Sequence, residues 1–394
     1  MKRIYILMLA LLPLSVPVHA EDVLKRGTCA EAPGSSFAFG LFREVAARDD
    51  GNIVFISPLS ASMALSMTAS GAEGSTLVEM LDALGYEEGS VKAMNESTGR
   101  IMDTFLAGHE GIELNMANSV WISDRFKVRN RFIKTARNDY GAEAANLDFS
   151  DPASAGTINR WCSENTGGRI TGIVDRIDPG TVMYLINALY FKGQWQTPFD
   201  PGMSRQGIFH GDAADSEVRF MNMTGRFMHY SGPEGSLLEL PYGDGTFVMD
   251  IILPGEGVSA DRFVTGLDAE AMTALTGLMQ AGTVRLSMPA FTAEYSTSLK
   301  APLMELGMRS VFAENADFSG ISKDEAVRIS DVRQKTFIEV NETGSEAAAI
   351  TSVSVMTTSL HPETVNFTVD RPFVFLIRER ASGTVLFAGL VRNL

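Results

Sequence analysis

The residues that most constrain this chain lie between 342 and 359 and read E-T-G-S-E-A-A-A-I-T-S-V-S-V-M-T-T-S. They separate two apolar segments that we predict to be buried strands, residues 327–340 and 364–379. Gly344 and the small residues after it fit almost any backbone environment. The residues from Thr351 onward are mostly β-branched, which favours a strand. A connection with this composition is an exposed loop that can become a strand.

The alternation of side chains along this stretch supports that interpretation, because successive residues of a strand point to opposite faces. The odd-numbered residues from 345 to 357 carry no charge, and the only charged side chain between 345 and 358, Glu346, falls on the other face. Residues 345–358 would span about 46 Å if fully extended, at ~3.3 Å per residue. The uncharged face could enter the middle of a sheet.

The start of the stretch resembles the hinge of the serpins, a family of protease inhibitors that work by such an insertion. The matching hinge residues are Gly344, Ser345, Glu346, Ala347, Ala348 and Ala349. The resemblance implies a reactive-centre loop over about 342–362. Counting from the hinge as in the family places the reactive bond at Thr358–Ser359, and the spacing to R-P-F at 371–373 agrees. Met356–Thr357 is the alternative bond.

Further segments extend the resemblance over essentially the whole mature chain. They are N-I-V-F-I-S-P-L-S at 52–60, I-N-R-W-C-S-E-N-T-G-G-R-I at 158–170, N-A-L-Y-F-K-G-Q-W at 187–195, and the segment 372–390 that ends in F-A-G-L. The resemblance implies the serpin fold, a single domain over 21–394 with a large central sheet, surrounding helices and an exposed loop. The short leader and the absence of a disulfide framework favour a bacterial secreted member.

The periodicity of the chain independently predicts an α+β fold with mainly antiparallel sheets. Helical spacing occurs at 35–48, 58–69, 75–84, 91–107, 130–140, 153–165 and 301–307. Strands are predicted at 52–56, 113–122 and 182–191, with a hairpin at 237–253 that turns at Gly243-Asp244-Gly245. Ser382-Gly383 is predicted to turn the last two strands.

The resemblance also assigns residues beneath the opening sheet. Ser57, Ser60 and Asn187 match the family's shutter, and Gln334 stands where the family has a histidine. Without the resemblance, Ser57 is a helix cap and Asn187 an ordinary buried amide. Trp195 and Glu342 match the breach, where insertion begins. The lysine that pairs with the glutamate in antitrypsin aligns with Ala290, so we expect Glu342 to have another partner or water.

The function implied is a suicide substrate. A serine protease, or a cysteine protease by the same acyl chemistry, cleaves the loop and is held covalently while the loop inserts. Thr358 is small and β-branched, which favours elastase-like or subtilisin-like targets over trypsin-like ones. The alternative function is a non-inhibitory, serpin-like carrier or binding protein. The hinge discriminates between them, because large or charged residues there would block insertion.

Residues 1–20 predict a cleaved secretory signal, with Lys2 and Arg3 before an apolar run and Val18-His19-Ala20 at the cleavage site. We therefore expect a secreted protein, periplasmic or extracellular. We also expect a monomer. Cleavage changes the formal net charge from −15 to −17. Such a chain should repel nucleic acid, heparin-like polyanions and membranes, and helix 91–107 lacks the basic cluster of heparin-activated serpins.

Cys29 and Cys162 either form one bridge or remain reduced.

The sequence gives little support for an enzyme. The G-E-G-V-S-A sequence at 255–260 echoes a dinucleotide-binding loop, but no acidic residue follows at the expected distance. The chain contains no GxSxG, HExxH or SxxK motif. The mature histidines have no metal-ligand spacing. We expect no catalytic residue, no metal and no cofactor.

Overall fold

The computed structural model describes residues 34–394 except 88–89, 179, 324–326 and 346–363. Nine α-helices lie within these residues: α1 Ser35–Ala46, α2 Pro58–Ala69, α3 Gly74–Ala83, α4 Val91–Leu106, α5 Asn130–Tyr140, α6 Ala153–Asn165, α7 Ala260–Thr265, α8 Ala269–Gly277 and α9 Lys300–Glu305. Helix α2 shows how the sequence defines a boundary, because the Ser57 hydroxyl accepts the backbone N–H of Ser60 and Pro58 occupies the first turn.

Fifteen strands lie within the same described ranges. They are β1 Ile53–Ile56, β2 Ile112–Ser123, β3 Glu143–Leu147, β4 Met183–Gln194, β5 Arg205–His210, β6 Asp215–Gly232, β7 Gly235–Pro241, β8 Phe247–Pro254, β9 Gln280–Pro289, β10 Phe291–Ser298, β11 Asp331–Asn341, β12 Gly344–Ser345, β13 Val365–Thr368, β14 Phe373–Glu379 and β15 Val385–Val391. Helices and mainly antiparallel strands give the α+β class expected from the sequence.

The larger sheet has nine strands in the order β1-β15-β14-β8-β7-β6-β9-β13, with β5 paired to β6. Strands β8, β14 and β15 are buried along their whole length. This explains their mostly apolar sequences, since a strand covered on both faces needs no polar alternation. Two of their buried charged side chains, Asp250 of β8 and Arg378 of β14, pair with each other. The main hydrophobic core lies against this sheet and includes the stacked rings of Phe55, Phe375 and Phe387.

The smaller sheet has six strands in the order β10-β11-β12-β4-β2-β3. Its pairings are antiparallel except for β2 with β3 and part of β11 with β4, which are parallel. Helix α6 and the residues after it cover one face through a second apolar cluster, in which the rings of Trp121 and Trp161 meet edge to face. The sheet is therefore buried on both sides at its centre.

The strand predicted at 364–379 is wrong as a single element. The structure divides it into β13, which pairs with β9 at one edge of the nine-stranded sheet, and β14, which lies between β8 and β15. Arg371 and Pro372 lie between the two strands, and proline cannot donate to a ladder. The chain uses this interruption to cross from one part of the sheet to another.

No helix in the described part of the chain combines the length and apolar character needed to cross a membrane. The predicted signal segment and Cys29 lie outside the described residues.

Candidate functional site

The hinge begins inside the six-stranded sheet. After a two-residue turn at Glu342 and Thr343, β12 pairs antiparallel with the end of β11, Val340 with Ser345 and Asn341 with Gly344. On its other side β12 pairs antiparallel with β4, Gly344 with Gln194 and Ser345 with Gly193. The first two hinge residues thus already form a strand between β11 and β4.

Glycine is the only residue type that fits at position 344. Its φ is +152°, and a Cβ there would lie 2.0 Å from the Gly193 carbonyl oxygen. An L-residue with a side chain would both strain the backbone and collide with β4. The glycine therefore allows the hinge to approach β4 closely enough to pair with it.

Ser345 is fully buried, and its hydroxyl lies 2.7 Å from the Tyr242 hydroxyl. Burial raises the pKa of Tyr242, so this phenol stays neutral and hydrogen-bonds as a hydroxyl. The Tyr242 ring stacks on Trp195, with ring centroids 4.4 Å apart. Trp195 in turn donates from Nε1 to the Asn341 carbonyl at 2.9 Å. These aromatic residues hold both sides of the turn that leads into the hinge.

Glu342 has two partners in the structure. Its Oε1 lies 2.6 Å from Arg219 Nη2 and accepts a hydrogen bond from the Ser204 hydroxyl at 2.7 Å. The backbone N–H of Phe199 donates to the Glu342 carbonyl at 2.8 Å. The cation comes from β6, whose Arg219 carbonyl accepts the backbone N–H of Ala290 at 2.8 Å. Ala290 occupies the position of the serpin lysine, and the positive charge here comes instead from Arg219, which hydrogen-bonds to Ala290.

Away from the hinge, β11 and β4 are direct neighbours in the sheet. They pair directly in parallel from Asp331 with Tyr184 to Lys335 with Ala188. The hinge separates the same two strands five to six residues further along β11. We call the line between β11 and β4 the seam. At its open end β12 lies between the two strands, and at its closed end the two strands pair directly.

The residues that match the shutter lie under the closed part of the seam. Gln334 is buried, accepts the Ser57 backbone N–H at 2.9 Å through Oε1 and donates to the Ser57 carbonyl at 2.8 Å through Nε2. The Ser57 hydroxyl donates to the Leu386 carbonyl at 2.6 Å. Gln334 thereby ties β11 to the start of α2, using both functions of an amide side chain.

Ser60 and Asn187 complete the set assigned from the sequence. Ser60 is fully buried, and its backbone N–H donates to the Ser57 hydroxyl at 3.3 Å. Asn187 lies in β4 directly opposite Gln334 on one side and Asn118 of β2 on the other. The structure describes the backbone of Asn187, and its side chain lies outside the described part of the chain.

The segment that follows α6 and contains Arg169 and Gly172 crosses the seam on its outer face. Lys335 Nζ donates to the Gly172 carbonyl at 3.1 Å and lies 2.7 Å from the Glu294 carboxylate. The Arg169 guanidinium lies 5.9 Å from the centre of the Phe337 ring. A strand that extends along the seam from the hinge must pass beneath this cover and displace the contact between Lys335 and Gly172.

Several predicted residues lie outside the described part of the chain. These are Glu346, Ala347, Ala348 and Ala349 of the hinge and both candidate bonds, Thr358–Ser359 and Met356–Thr357. Tyr242, Arg219 and Ser204 also contact the hinge and its turn, although they were not predicted from the sequence. No local pattern identifies them, because their contacts with the hinge depend on how distant strands meet.

Cys162 lies in α6, is fully buried and is in the second apolar cluster. Burial raises the pKa of its thiol to about 12, so the reactive thiolate is not accessible at neutral pH.

Comparison with known proteins agrees with this architecture. The family model described as "Serpin (serine protease inhibitor)" matches residues 33–394. An uncharacterized serpin-like protein of Thermococcus kodakarensis is 35% identical over 390 residues, covering 96% of this chain and 89% of the relative.

Two solved structures share the fold. The native state of the thermophilic serpin tengpin has a TM-score of 0.85 and 31% identity, covering 92% of this chain and 94% of the other. Human thyroxine-binding globulin in complex with its ligand has a TM-score of 0.85 and 28% identity, with coverage of 92% and 97%. An archaeal and a human protein are thus both similar, and a bacterial origin stays a prediction. The chain belongs to the serpin family.

Proposed function

We propose that this serpin inhibits serine endopeptidases as a suicide substrate, with the loop after Ser345 as the bait. The observation that carries the proposal is the position of β12, where Gly344 and Ser345 pair with both β11 and β4. The hinge has the right direction, antiparallel to both neighbours, to continue along the seam. A loop that served as a passive tether would not need this arrangement.

The energetics favour insertion once the loop is cut. The strand must break the five parallel residue pairs between β11 and β4 and the contacts of Lys335 with the covering segment. It gains a ladder on each side, and about a dozen new backbone hydrogen bonds at ~1 kcal/mol each outweigh that loss. Before cleavage the loop is tethered at both ends, so the native state is kinetically trapped.

The bait sequence indicates the class of target. Thr358 before the proposed bond favours elastase-like and subtilisin-like enzymes, and no Arg or Lys lies between Glu342 and His361 to suit a trypsin-like pocket. The acyl-enzyme would form between the protease nucleophile and the Thr358 carbonyl. In this proposal the protein is a secreted, monomeric inhibitor and performs no catalysis itself.

The test is to incubate the purified protein with pancreatic elastase or subtilisin and to analyse the products by denaturing gel and mass spectrometry. The proposal predicts a covalent complex that survives boiling and a released fragment that begins at Ser359. A fragment beginning at Thr357 assigns the bond to Met356 instead. Complete cleavage without a complex contradicts inhibition and supports a carrier or binding role.

Two hinge variants sharpen this experiment. Ala347→Arg places a charge on the strand face shared with the buried Ser345, whereas Glu346→Arg places the same charge on the opposite face. We expect Ala347→Arg to convert the inhibitor into a substrate and Glu346→Arg to retain most complex formation. Equal effects of the two variants would mean that the face of insertion is assigned wrongly.

A further inference from the structure

The segment that joins α4 to β2, residues 107–111, ties the open end of the seam to the nine-stranded sheet. The Gly111 carbonyl accepts the backbone N–H of Gln194 at 2.9 Å, and the Gln194 carbonyl accepts the backbone N–H of Gly243 at 2.8 Å. Gln194 is also the residue of β4 that pairs with Gly344. One position on β4 therefore contacts the segment, the turn between β7 and β8, and the hinge.

His109 of this segment faces the β7–β8 turn, residues 242–246. Its side chain is 13% exposed, and Nδ1 lies 3.5 Å from the Asp244 carboxylate. Nε2 lies 2.9 Å from the Thr104 carbonyl oxygen. The ring meets the buried Phe247 ring edge to face, with ring centroids 5.1 Å apart. These contacts fix the orientation of the imidazole.

The contact with Thr104 determines which nitrogen of His109 takes up a proton. A carbonyl oxygen only accepts, so the neutral imidazole carries its hydrogen on Nε2 and presents the lone pair of Nδ1 to Asp244. Although burial opposes the shift, hydrogen bonds from Thr246 and His109 hold the pKa of Asp244 below its usual range, so this group is a carboxylate at neutral pH. Protonation of Nδ1 replaces a lone pair that repels the carboxylate by a charged donor that attracts it. Histidine is the side chain that changes charge between about pH 5 and 8.

In the part of the chain that the structure describes, Asp244 is the one ionic partner of His109. The other charged side chains on the elements around His109 are exposed or already paired. They are Asp103 of α4 and Glu110, both exposed, Glu113 of β2 and Lys192 of β4, which lie 4.0 Å apart, and Arg380 after β14, which lies 2.8 Å from Glu239. A change of charge on His109 therefore acts mainly on Asp244 and the turn that carries it.

The β7–β8 turn transmits this effect to the hinge. Tyr242, two residues before Asp244, makes the buried hydroxyl contact with Ser345. On the other side of the seam, the Thr336 hydroxyl donates to the Phe55 carbonyl of β1, so β11 is attached to the nine-stranded sheet. A strand that enters the seam must therefore move β4 and β2 relative to the nine-stranded sheet. The contact of His109 with Asp244 resists that movement.

We propose that His109 is a positioning residue for the hinge and that its protonation strengthens the tie to Asp244 and slows insertion of the cleaved loop. This inference rests on the proposed function, because it assigns a regulation to the same insertion. The inhibitor is therefore slower in mildly acidic surroundings than at neutral pH.

The test uses two variants that keep the neutral hydrogen bonds of this tie. His109→Gln retains a donor for the Thr104 carbonyl, and Asp244→Asn retains an acceptor for the Thr246 backbone N–H. Hydrogen exchange of residues 340–345 and the rate of complex formation with pancreatic elastase are measured at about pH 8 and about pH 6. Taking the ratio of variant to wild type at each pH cancels the pH dependence of the exchange chemistry and of the protease.

The control variant is His210→Gln. Nδ1 of His210 also lies near a carboxylate, 3.0 Å from Asp215, but both side chains are more than half exposed. Thermal unfolding confirms that all three variants fold.

At about pH 6 the wild type should exchange hinge hydrogens, and form the complex, about threefold more slowly than His109→Gln, and the difference should be lost at about pH 8. Asp244→Asn should behave as His109→Gln does, and His210→Gln as the wild type does. Either ratio remaining constant between the two pH values, or an equal change in the His210 variant, overturns the proposal. If no complex forms at either pH, the proposed function fails, and the exchange ratio alone decides the role of His109.

Discussion

Arg219 Nη2 lies 2.6 Å from Glu342 Oε1, so the turn into the hinge is held by a cation from the nine-stranded sheet. Arg219 is half exposed, with 50% of its side chain accessible, while Glu342 has 13%. Solvent screens a pair of this kind, and its contribution is below about 1 kcal/mol. The contact nevertheless joins the two sheets at the turn that leads into the hinge.

The first prediction concerns this ion pair. Arg219→Ala should lower the free energy of unfolding by about 0.5–1 kcal/mol, measured by urea denaturation, because Glu342 loses its cation. Adding Ala290→Lys should restore most of the loss, since Ala290, between β9 and β10, donates its backbone N–H to the Arg219 carbonyl. Arg226→Ala on the same strand serves as the control. Failure of the lysine to rescue the variant would contradict the pairing.

The second prediction concerns the two hydroxyls in the hinge. Tyr242→Phe and Ser345→Ala each remove one partner of a fully buried hydrogen bond. A double-mutant cycle on the free energy of unfolding should give a coupling of about 0.5–1.5 kcal/mol. Strictly additive losses would show that the two hydroxyls do not interact in solution.

The third prediction concerns Gly344. Alanine there would strain the backbone by about 1–3 kcal/mol and collide with the Gly193 carbonyl, so β12 should leave the sheet. Hydrogen exchange of residues 340–345 should accelerate about tenfold or more, as measured by mass spectrometry. Gly277→Ala is the control, because a Cβ at that position meets nothing within 4 Å. Unchanged protection in the Gly344 variant would be inconsistent with a paired hinge.

The fourth prediction concerns pH. Burial raises the pKa of Asp250 to about 6, although Arg378, whose Nε lies 2.5 Å from the carboxylate, opposes the shift. The folded state then binds a proton more tightly than the unfolded state, whose pKa is 3.8. The stability from this group is fully present below that value and is lost as pH rises through about 6.

Asp250→Asn should therefore flatten the stability profile between about pH 4 and pH 6 relative to the wild type, measured by denaturation at each pH. Glu305→Gln is the control, since that carboxylate is half exposed. A profile for Asp250→Asn parallel to that of the wild type would show that Asp250 titrates normally.

Local chemistry explains which parts of the fold follow from the sequence. The start of α2 is defined by Ser57 and Pro58, and the β7–β8 hairpin by its glycine-containing turn, so both were predictable. Strand β6 was not predicted, because its exposed and buried residues do not alternate regularly over 18 positions. Its partners, β7 and β9, determine its length, and these lie far away in sequence.

The candidate site divides in the same way. The hinge could be recognised from its composition between Gly344 and Ala349, but the register of Gly344 and Ser345 between β11 and β4 depends on tertiary contacts. Glu342 was expected to have another partner or water, and the partner is Arg219, which no local pattern indicates.

The central claim is that cleavage of the loop allows the chain after Ser345 to continue along the seam. The most direct test is to cut the loop with a protease, separate the product and measure its thermal unfolding midpoint beside that of the intact protein. About a dozen new hydrogen bonds at ~1 kcal/mol each should raise the midpoint by roughly 20 °C or more. An unchanged or lower midpoint in the cleaved protein would contradict insertion.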